Sequence, residues 1–272
     1  FIHGCNQAGF GIDWGVISGV NALSQWHDYF GFESSGGTYG LINSLMQIGI
    51  VCGAPFMGLA DVIGRRGINF AGNAIVIFAS LMQGLATNLP MFMAGRFFMG
   101  FGTSLMSSSQ YIGEISPIHL RGLMVGFFGA CFQVGSLGIL GAMIGLTELP
   151  GNNSWRVPLI LEALFPTIVC VGIYLLTPES PRYYVLKGDR QKAKEVIAKY
   201  HTTSTDLNQP IVDIVVRQIE ESLENDQTGY RAAWDYRVFF TKTARFRLLV
   251  LFLYSLFQQW NGGGIITYYV SG

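Results

Sequence analysis

The sequence predicts an all-α membrane protein that crosses the bilayer seven times. Three observations indicate this fold class: seven apolar stretches as long as a spanning helix, basic residues sorted to one side, and a composition low in charge and rich in glycine. Charged residues make up 12% of the 272-residue chain and glycine fills 35 positions, whereas soluble proteins average roughly 25% charged residues and about 7% glycine. Glycine at this density suits helices that pack closely in lipid.

The apolar stretches fix the order of the predicted elements. A helix needs about 20 mostly apolar residues to cross the hydrocarbon core, and these stretches are too continuous for the roughly ten-residue strands of a membrane barrel. They lie at Phe1–Leu23, Thr38–Ala60, Ile68–Thr87, Met91–Ile112, Leu123–Leu146, Val157–Thr177 and Phe246–Val270. The predicted organisation is a six-helix transmembrane bundle at 1–177, a linker at 178–245 and a seventh spanning helix at 246–272.

Two amphipathic helices are expected within the polar linker. In the first, at 189–200, Ala193, Val196, Ile197 and Tyr200 share one face and Asp189 can cap the start. The second, at 210–224, places apolar residues on one side together with Gln218; they are Ile211, Ile214, Val215 and Ile219. Both helices are too polar to span a bilayer and should lie on the cytoplasmic face, with a flexible linker as the alternative.

Small residues spaced four apart on the fifth apolar stretch predict a face for close helix packing. The pairs are Gly126 with Ala130 and Gly138 with Ala142.

The basic residues predict the orientation of the chain. Of the 17 Lys and Arg residues, 15 follow the second, fourth and sixth stretches, leaving Arg156 on the other side and Arg96 inside the fourth stretch. By the positive-inside rule the richer side is cytoplasmic, so the N-terminus and the long linker lie inside. We expect a multi-pass protein of the plasma membrane. The formal net charge of +0 and the apolar remainder disfavour a nucleic-acid partner.

Three ionisable residues lie within predicted spans, where a charge is costly and indicates a functional site. Asp13 in the first helix and Arg96 in the fourth reach a similar depth because those helices run in opposite directions, so we expect them to pair. A pair that protonation can break couples proton movement to a conformational change, whereas a static structural pair is the alternative. Glu162 can add a protonation site or, as we favour, stay neutral and form a hydrogen bond.

A second group of charges follows the second, fourth and sixth helices at the predicted cytoplasmic face. Acids and bases alternate there, and we expect them to interlock the helix ends and hold that side closed. Its members are Asp61, Arg65, Arg66, Glu114, Arg121, Glu179 and Arg182. The alternative is a set of solvated surface charges, each of which contributes little to stability.

Six short motifs follow one another along the chain. They are Gly11-Ile-Asp13 followed by Gly19, Asp61 with Gly64-Arg-Arg66, Gly95-Arg96 followed by Gly100 and Gly102, Tyr111 and Glu114 leading to Arg121-Gly122, Pro178-Glu-Ser-Pro-Arg182, and Gln258-Gln259 followed by Tyr268-Tyr269. With these motifs the chain resembles the sugar porter family of the major facilitator superfamily. Lys199-Tyr-His201 and Gln259-Trp-Asn-Gly262 resemble fungal lactose permeases and cellodextrin transporters in particular.

The resemblance implies the major facilitator fold, in which substrate is held near the midplane between two six-helix halves. This chain would then be a fragment that supplies the N-terminal six-helix half, the cytoplasmic helices and most of helix seven. The resemblance also implies that Phe10, Gln133, Gln258 and Gln259 line the sugar site. An amide both donates and accepts hydrogen bonds, as a sugar hydroxyl requires. The family often has an asparagine where this chain has Gly264, which weakens a hexose assignment.

The expected function is uptake of a mono- or disaccharide by proton-coupled symport with alternating access. A facilitative uniporter and a membrane sugar sensor that does not transport are the alternatives. We expect no enzyme activity, since no nucleophile–base pair or phosphate loop is visible, and no cofactor other than the coupling proton. The four cysteines lie in apolar stretches without metal-ligand spacing, so no metal is expected. The full-length protein is expected to be monomeric.

Overall fold

The apolar stretches fold as helices in the computed structural model, which describes residues 1–33, 36–202, 207, 209–225 and 242–260. The bundle is built from α1 (Ile2–Asn21), α2 (Ser24–Phe30), α3 (Gly37–Gly53), α4 (Ala60–Ile63), α5 (Arg65–Gly84), α6 (Leu89–Leu105), α7 (Ser108–Ile115), α8 (Arg121–Leu146), α9 (Asn153–Leu161) and α10 (Leu164–Leu176), and a 3-10 turn (Ala54–Leu59) joins α3 to α4. After the bundle come α11 (Pro181–Leu186), α12 (Arg190–His201), α13 (Pro210–Asn225) and α14 (Lys242–Trp260).

Four helical stretches in the described part of the chain are long and apolar enough to cross a membrane, by length and composition alone. They are Gly37–Ile63, Arg65–Gly84, Arg121–Leu146 and Asn153–Leu176. The first and fourth predicted stretches are helical too, as α1 and as α6 followed by α7, and they contain the buried charges Asp13 and Arg96.

The sixth predicted stretch is broken in the middle, where the sequence predicted one continuous helix. α9 ends at Leu161 and α10 begins at Leu164, which leaves Glu162 and Ala163 between them. Pro166 has no N–H to give to the carbonyl of Glu162, four residues earlier, so the regular hydrogen-bond ladder cannot run through this point. Glu162, at the break, lies inside the bundle with 2% of its surface exposed.

The helices form one bundle whose two ends are covered by different elements. α1 packs against α8 and α10, α3 against α6, and α5 against α6, α9 and α10. At one end, α2 covers an apolar core that contains the fully buried side chains of Trp26, Phe92 and Trp155. At the other end, α11, α12 and α13 pack on one another and α11 and α12 contact α7; we call this end the linker face.

Glycines allow α1 and α8 to approach closely, but they are not the ones that the sequence suggested. A Cβ atom at Gly11 would overlap the carbonyl oxygen of Phe132, and one at Gly135 would overlap that of Ala8. By contrast, a Cβ atom at Gly126 or Gly138 would meet no atom within 4 Å. The predicted packing face at Gly126 and Gly138 is therefore wrong within the described residues, because α8 is rotated so that Gly135 faces α1.

The two amphipathic helices expected in the linker correspond to α12 and α13. Ile197 and Ala198 of α12 pack against Val212 and Val216 of α13, and all four are fully buried. The buried face of α13 is rotated from the predicted one, since Ile211 and Ile214 are about half exposed at 48% and 54%. α11 adds a short helix at Pro181–Leu186 that the sequence did not predict.

Candidate functional site

A buried ion pair joins α1 and α6 at the centre of the bundle. Nη1 of Arg96 donates a hydrogen bond to Oδ1 of Asp13 over 2.8 Å, and the two side chains are 0% and 4% exposed. Nη2 of Arg96 also lies 3.3 Å from the sulfur of Met46 on α3. Oδ2 of Asp13 and Nε of Arg96 are buried without a hydrogen-bond partner in the described structure. The pair is thus desolvated but only partly satisfied, which is costly in a low-dielectric interior.

Glu162 brings a second carboxyl to the same interior. It interacts electrostatically with both Asp13 and Arg96, and neither of its carboxyl oxygens has a hydrogen-bond partner among the residues described. The hydrogen bond that we favoured for a neutral Glu162 is not formed there. The bundle thus buries two carboxyls and one guanidinium, and the guanidinium bonds Asp13.

Phe10, the aromatic residue predicted for the sugar site, contacts the residue that precedes Gln133 on α8. Phe10 packs edge-on against Phe132 with ring centroids 5.7 Å apart, and Gln133, the next residue, is exposed on α8. Gln258 and Gln259 lie near the end of α14, and their side chains fall outside the described part of the structure. The structure thus places Phe10 against the residue before Gln133, and the sugar-site role of all four residues stays a prediction.

Arg65 is the centre of the charge network at the linker face. Its Nη1 lies 2.9 Å from Oδ1 of Asp61 and its Nη2 lies 3.0 Å from Oε1 of Glu114. The hydroxyl of Ser180 also donates to Glu114. These contacts tie α4, α5 and α7 to the segment that follows α10.

Glu179 holds the start of α5 through backbone contacts. Its carboxylate accepts hydrogen bonds from the backbone N–H groups of Arg65 at 2.9 Å and of Arg66 at 3.3 Å, where the helix dipole favours a negative charge. Burial raises the pKa of Glu179, and the hydrogen bonds from these N–H groups oppose that rise. Gly64 adopts a φ of 95°, and a Cβ atom there would lie against the Glu179 carboxylate, so the turn requires glycine.

The remaining basic residues of the network have other contacts. Nη2 of Arg66 donates to the carbonyl of Tyr174 at 2.8 Å, and its guanidinium lies 4.8 Å from the centre of the Tyr174 ring. Nη1 of Arg182 donates to the hydroxyl of Ser222 at 3.3 Å. Arg121 and Arg182 line a groove of about 230 Å³ between α7, α12 and α13. Of the seven predicted charges, Asp61, Arg65 and Glu114 join through their side chains, and Glu179 joins through the backbone N–H groups of Arg65 and Arg66. Arg121 and Arg182 line the groove together with Glu114.

His201 anchors α12 to the bundle, a contact that sequence reasoning missed. Its Nε2 lies 3.1 Å from the carbonyl oxygen of Ile115 at the end of α7. Burial lowers the pKa of His201, which favours the neutral ring that donates to this carbonyl.

A polar stripe inside α5 was also missed. Asn69, Asn73, Ser80 and Gln83 are all fully buried, and their spacing places them on one side of the helix. Such a stripe in an otherwise apolar span is visible in the sequence. In the described structure, both polar atoms of the Gln83 side chain lack a hydrogen-bond partner, as does Oδ1 of Asn73.

Metal-ligating side chains do not gather in the described ranges, where no group of three or more His, Cys, Asp or Glu residues could hold a metal ion.

Comparison with known proteins identifies the family. The model of the family described as "Sugar (and other) transporter" matches residues 5–272. The chain belongs to the sugar transporter family. As a member of this family it is an integral membrane protein that crosses the membrane several times, in agreement with its apolar helices.

Several curated proteins are similar to this chain over most of its length. It is 30% identical to the major facilitator-type transporter ecdD of Aspergillus rugulosus, covering 96% of this chain and 49% of the relative. It is 31% identical to the low-affinity glucose transporter HXT4 of Saccharomyces cerevisiae, with 96% and 46% covered. It is 28% identical to the galactose-proton symporter of Escherichia coli K12, with 96% and 53% covered. The chain thus spans about half the length of these curated relatives.

The solved structure of a xylose transporter has the same fold. The partially occluded inward-open xylose transporter XylE of E. coli superposes with a TM-score of 0.80 at 20% identity, covering 98% of this chain and 64% of the other. The all-helical, major facilitator-type fold predicted from the sequence is confirmed.

Proposed function

We propose that the full-length protein containing this chain is a secondary transporter that takes up a mono- or disaccharide together with a proton. Membership of the sugar transporter family supports the substrate class. Two similar proteins are named for the sugars glucose and galactose: the low-affinity glucose transporter HXT4 and the galactose-proton symporter.

The charge balance around Asp13 is the observation that carries the proton-coupling proposal. Asp13 and Glu162 are buried in the same bundle as one guanidinium, that of Arg96, which bonds Asp13, and all three residues are at most 3% exposed. With both carboxyls ionised the group carries one uncompensated negative charge, which is expensive to bury. One bound proton removes that charge. Proton binding therefore favours one conformation of the bundle and proton release favours another.

The linker face supplies the gate in this proposal. With the linker in the cytoplasm, the contacts of Arg65 and Glu179 close the inner end of the bundle. Alternating access requires such contacts to form in one state and to break in the other. The sugar would bind between the two halves of the full-length protein at Phe10, Gln133, Gln258 and Gln259.

The test is sugar uptake by the full-length protein with Asp13→Asn, which removes the titratable acid but keeps its shape. Proton-driven accumulation should fall to the equilibrated level, and a protonophore should then have no further effect. Exchange of labelled for unlabelled sugar across the membrane should persist, since exchange needs no net proton movement. Asp28→Asn, the same substitution at an exposed position on α2, is the matched control and should accumulate sugar normally. Wild-type accumulation by Asp13→Asn would refute the coupling role.

A facilitative uniporter is the second candidate. The Asp13–Arg96 pair taken alone is neutral and can stand as a static contact, and the HXT4 relative is named as a glucose transporter without reference to protons. Equilibration of sugar by the wild-type protein that a protonophore leaves unchanged would favour this candidate. Sugar binding with no flux at all would favour a sensor.

A further inference from the structure

The groove at the linker face has the size and the charge of a site for a small anion. Its volume of about 230 Å³ exceeds the roughly 30 Å³ of one water molecule and falls below the roughly 300–1,000 Å³ of pockets for drug-sized ligands. We call it the linker groove. The polar residues that line it are Glu114, Arg121, Arg182, His201, Gln218 and Ser222.

Arg121 brings a positive charge to the linker groove from the first residue of α8. Among the residues that the structure describes, no carboxylate lies within ion-pair distance of its guanidinium. Glu114, the acid that also lines the groove, bonds Arg65 and the hydroxyl of Ser180 instead. The start of a helix itself favours a negative charge. The described residues therefore leave a positive charge at the groove that an anion can compensate.

The linker helices supply further polar groups to the same groove. Nη1 of Arg182 on α11 donates to the hydroxyl of Ser222 on α13, which holds the second guanidinium at the groove. Burial, and also the charge of Arg121, lowers the pKa of His201 on α12, so the imidazole lies close enough to Arg121 to respond to its charge. Gln218 on α13 is exposed and offers the N–H groups of an amide.

A phosphate monoester matches this set of groups better than a carboxylate does. The phosphate has three strong acceptor oxygens and a charge of about −1.5 to −2 at neutral pH, whereas a carboxylate has two oxygens and a single charge. Guanidinium groups bind phosphate with two parallel hydrogen bonds each. Ile118, Val215 and Ile219 add an apolar wall to the groove, against which the carbon part of an ester can pack.

We propose that the linker groove binds a phosphate monoester, either a small soluble ester or the headgroup of a lipid, and that the bound anion ties the start of α8 to α11, α12 and α13. Arg121 and Arg182 hold the phosphate oxygens, and Gln218 donates a further hydrogen bond. The anion thereby bridges the bundle and the linker helices and stabilises their contact. Binding at this groove depends neither on proton coupling nor on sugar uptake.

The first test compares two anions on the wild-type protein alone. In calorimetric titration of the purified full-length protein, glycerol 3-phosphate should bind saturably. Glycerate, the corresponding carboxylate, should bind at least about tenfold more weakly, since a lost hydrogen bond to a charged group has an effect of that order. Equal affinities for the two anions, or no saturable binding of glycerol 3-phosphate, would overturn the proposal.

The second test removes each guanidinium in turn. Arg121→Gln and Arg182→Gln should each weaken the binding of glycerol 3-phosphate by about 10- to 100-fold. Arg121→Lys should fall between wild type and Arg121→Gln, because it keeps the charge but loses the planar fork. Arg217→Gln is the matched control on α13; its side chain is 78% exposed and pairs with Glu221, and its affinity should equal that of the wild type. Wild-type affinity of Arg121→Gln, or an equal loss in the control, would contradict the site.

The two sources of the phosphate are separated by changing the bilayer. The full-length protein is placed in phosphatidylcholine nanodiscs with or without phosphatidic acid, a lipid whose headgroup is a phosphate monoester. If the occupant is a lipid, phosphatidic acid should abolish the titration by glycerol 3-phosphate. If it is soluble, phosphatidic acid should leave the titration unchanged. Normal sugar uptake with no phosphate binding would refute the linker groove alone, whereas phosphate binding without sugar uptake would refute the proposed function alone.

Discussion

Arg65 joins separate parts of the linker face through one guanidinium. It contacts Asp61 and Glu114, and 8% of its side chain is exposed. Removing one partner of a buried ion pair costs more than the pair contributes, because the other charge stays buried and uncompensated. Here two carboxylates would lose their shared cation, whereas Arg66 bonds a neutral carbonyl and ring.

Arg65→Gln should therefore destabilise the protein more than Arg66→Gln, the same substitution one residue later. Hydrogen bonds to charged groups contribute about 1.5–3 kcal/mol, and we expect a loss in that range for Arg65→Gln. Thermal unfolding of the purified full-length protein in detergent measures both. Equal melting temperatures for the two variants would show that the network is a set of independent surface contacts.

The contact of Asp13 with Arg96 could be predicted at the residue scale because helix direction and position in the span fix the depth of a side chain. The contact between His3 and Ser108 could not be predicted in the same way. His3 and Ser108 are 105 positions apart, and their contact depends on the rotation of α1 and on the break between α6 and α7. Neither property follows from hydropathy.

At the scale of helices, close packing of α1 on α8 depends on two glycines. Gly11 and Gly135 each allow a backbone carbonyl of the other helix to lie where a Cβ atom would be. The fifth span contains many glycines, and only the rotation of the helix decides which of them faces α1. Spacing alone therefore pointed to Gly126 and Gly138, which have open space beside them. The break after α9 differs from the rotation of α8, since Pro166 marks the position of the break in the sequence.

Gly135→Ala should force α1 and α8 apart and destabilise the bundle by about 1–3 kcal/mol, as overpacking of a core does. Gly138→Ala, three residues later on the same helix, is the control and should leave stability unchanged or slightly raised, since alanine favours a helix. Unfolding of the two purified variants provides the comparison. A destabilisation at position 138 that matched that at position 135 would contradict the observed rotation of α8.

At the scale of the whole molecule, the two ends of the bundle differ in the residues that they contain. The linker face carries the ion network of Arg65 and Glu179, and the opposite end carries the aromatic core around Trp26 and Trp155. The sequence predicts which end lies inside, because basic residues are retained in the cytoplasm. It also predicted the fold class, since the length and order of apolar stretches limit a chain in lipid to few arrangements.

Cysteine labelling tests this orientation. In the full-length protein with its own cysteines replaced, an impermeant thiol reagent should label Asp28→Cys on α2 in intact cells. It should label Lys187→Cys, after α11, only once the cells are permeabilised. The reverse pattern would place the Arg65–Arg66 turn outside and would remove the cytoplasmic gate from the proposal.

The interruption at Glu162 divides the sixth span into segments with different neighbours. The carbonyl of Leu159 in α9 accepts a hydrogen bond from Ser80 of α5, whereas α10 packs Val169 and Ile173 against Ile2 and Cys5 of α1. Because Pro166 leaves the carbonyl of Glu162 without a helical donor, α9 and α10 can change their mutual tilt without breaking a hydrogen bond at that carbonyl. Each helix can then move with the helix it packs against, and any difference between the two movements would displace Glu162.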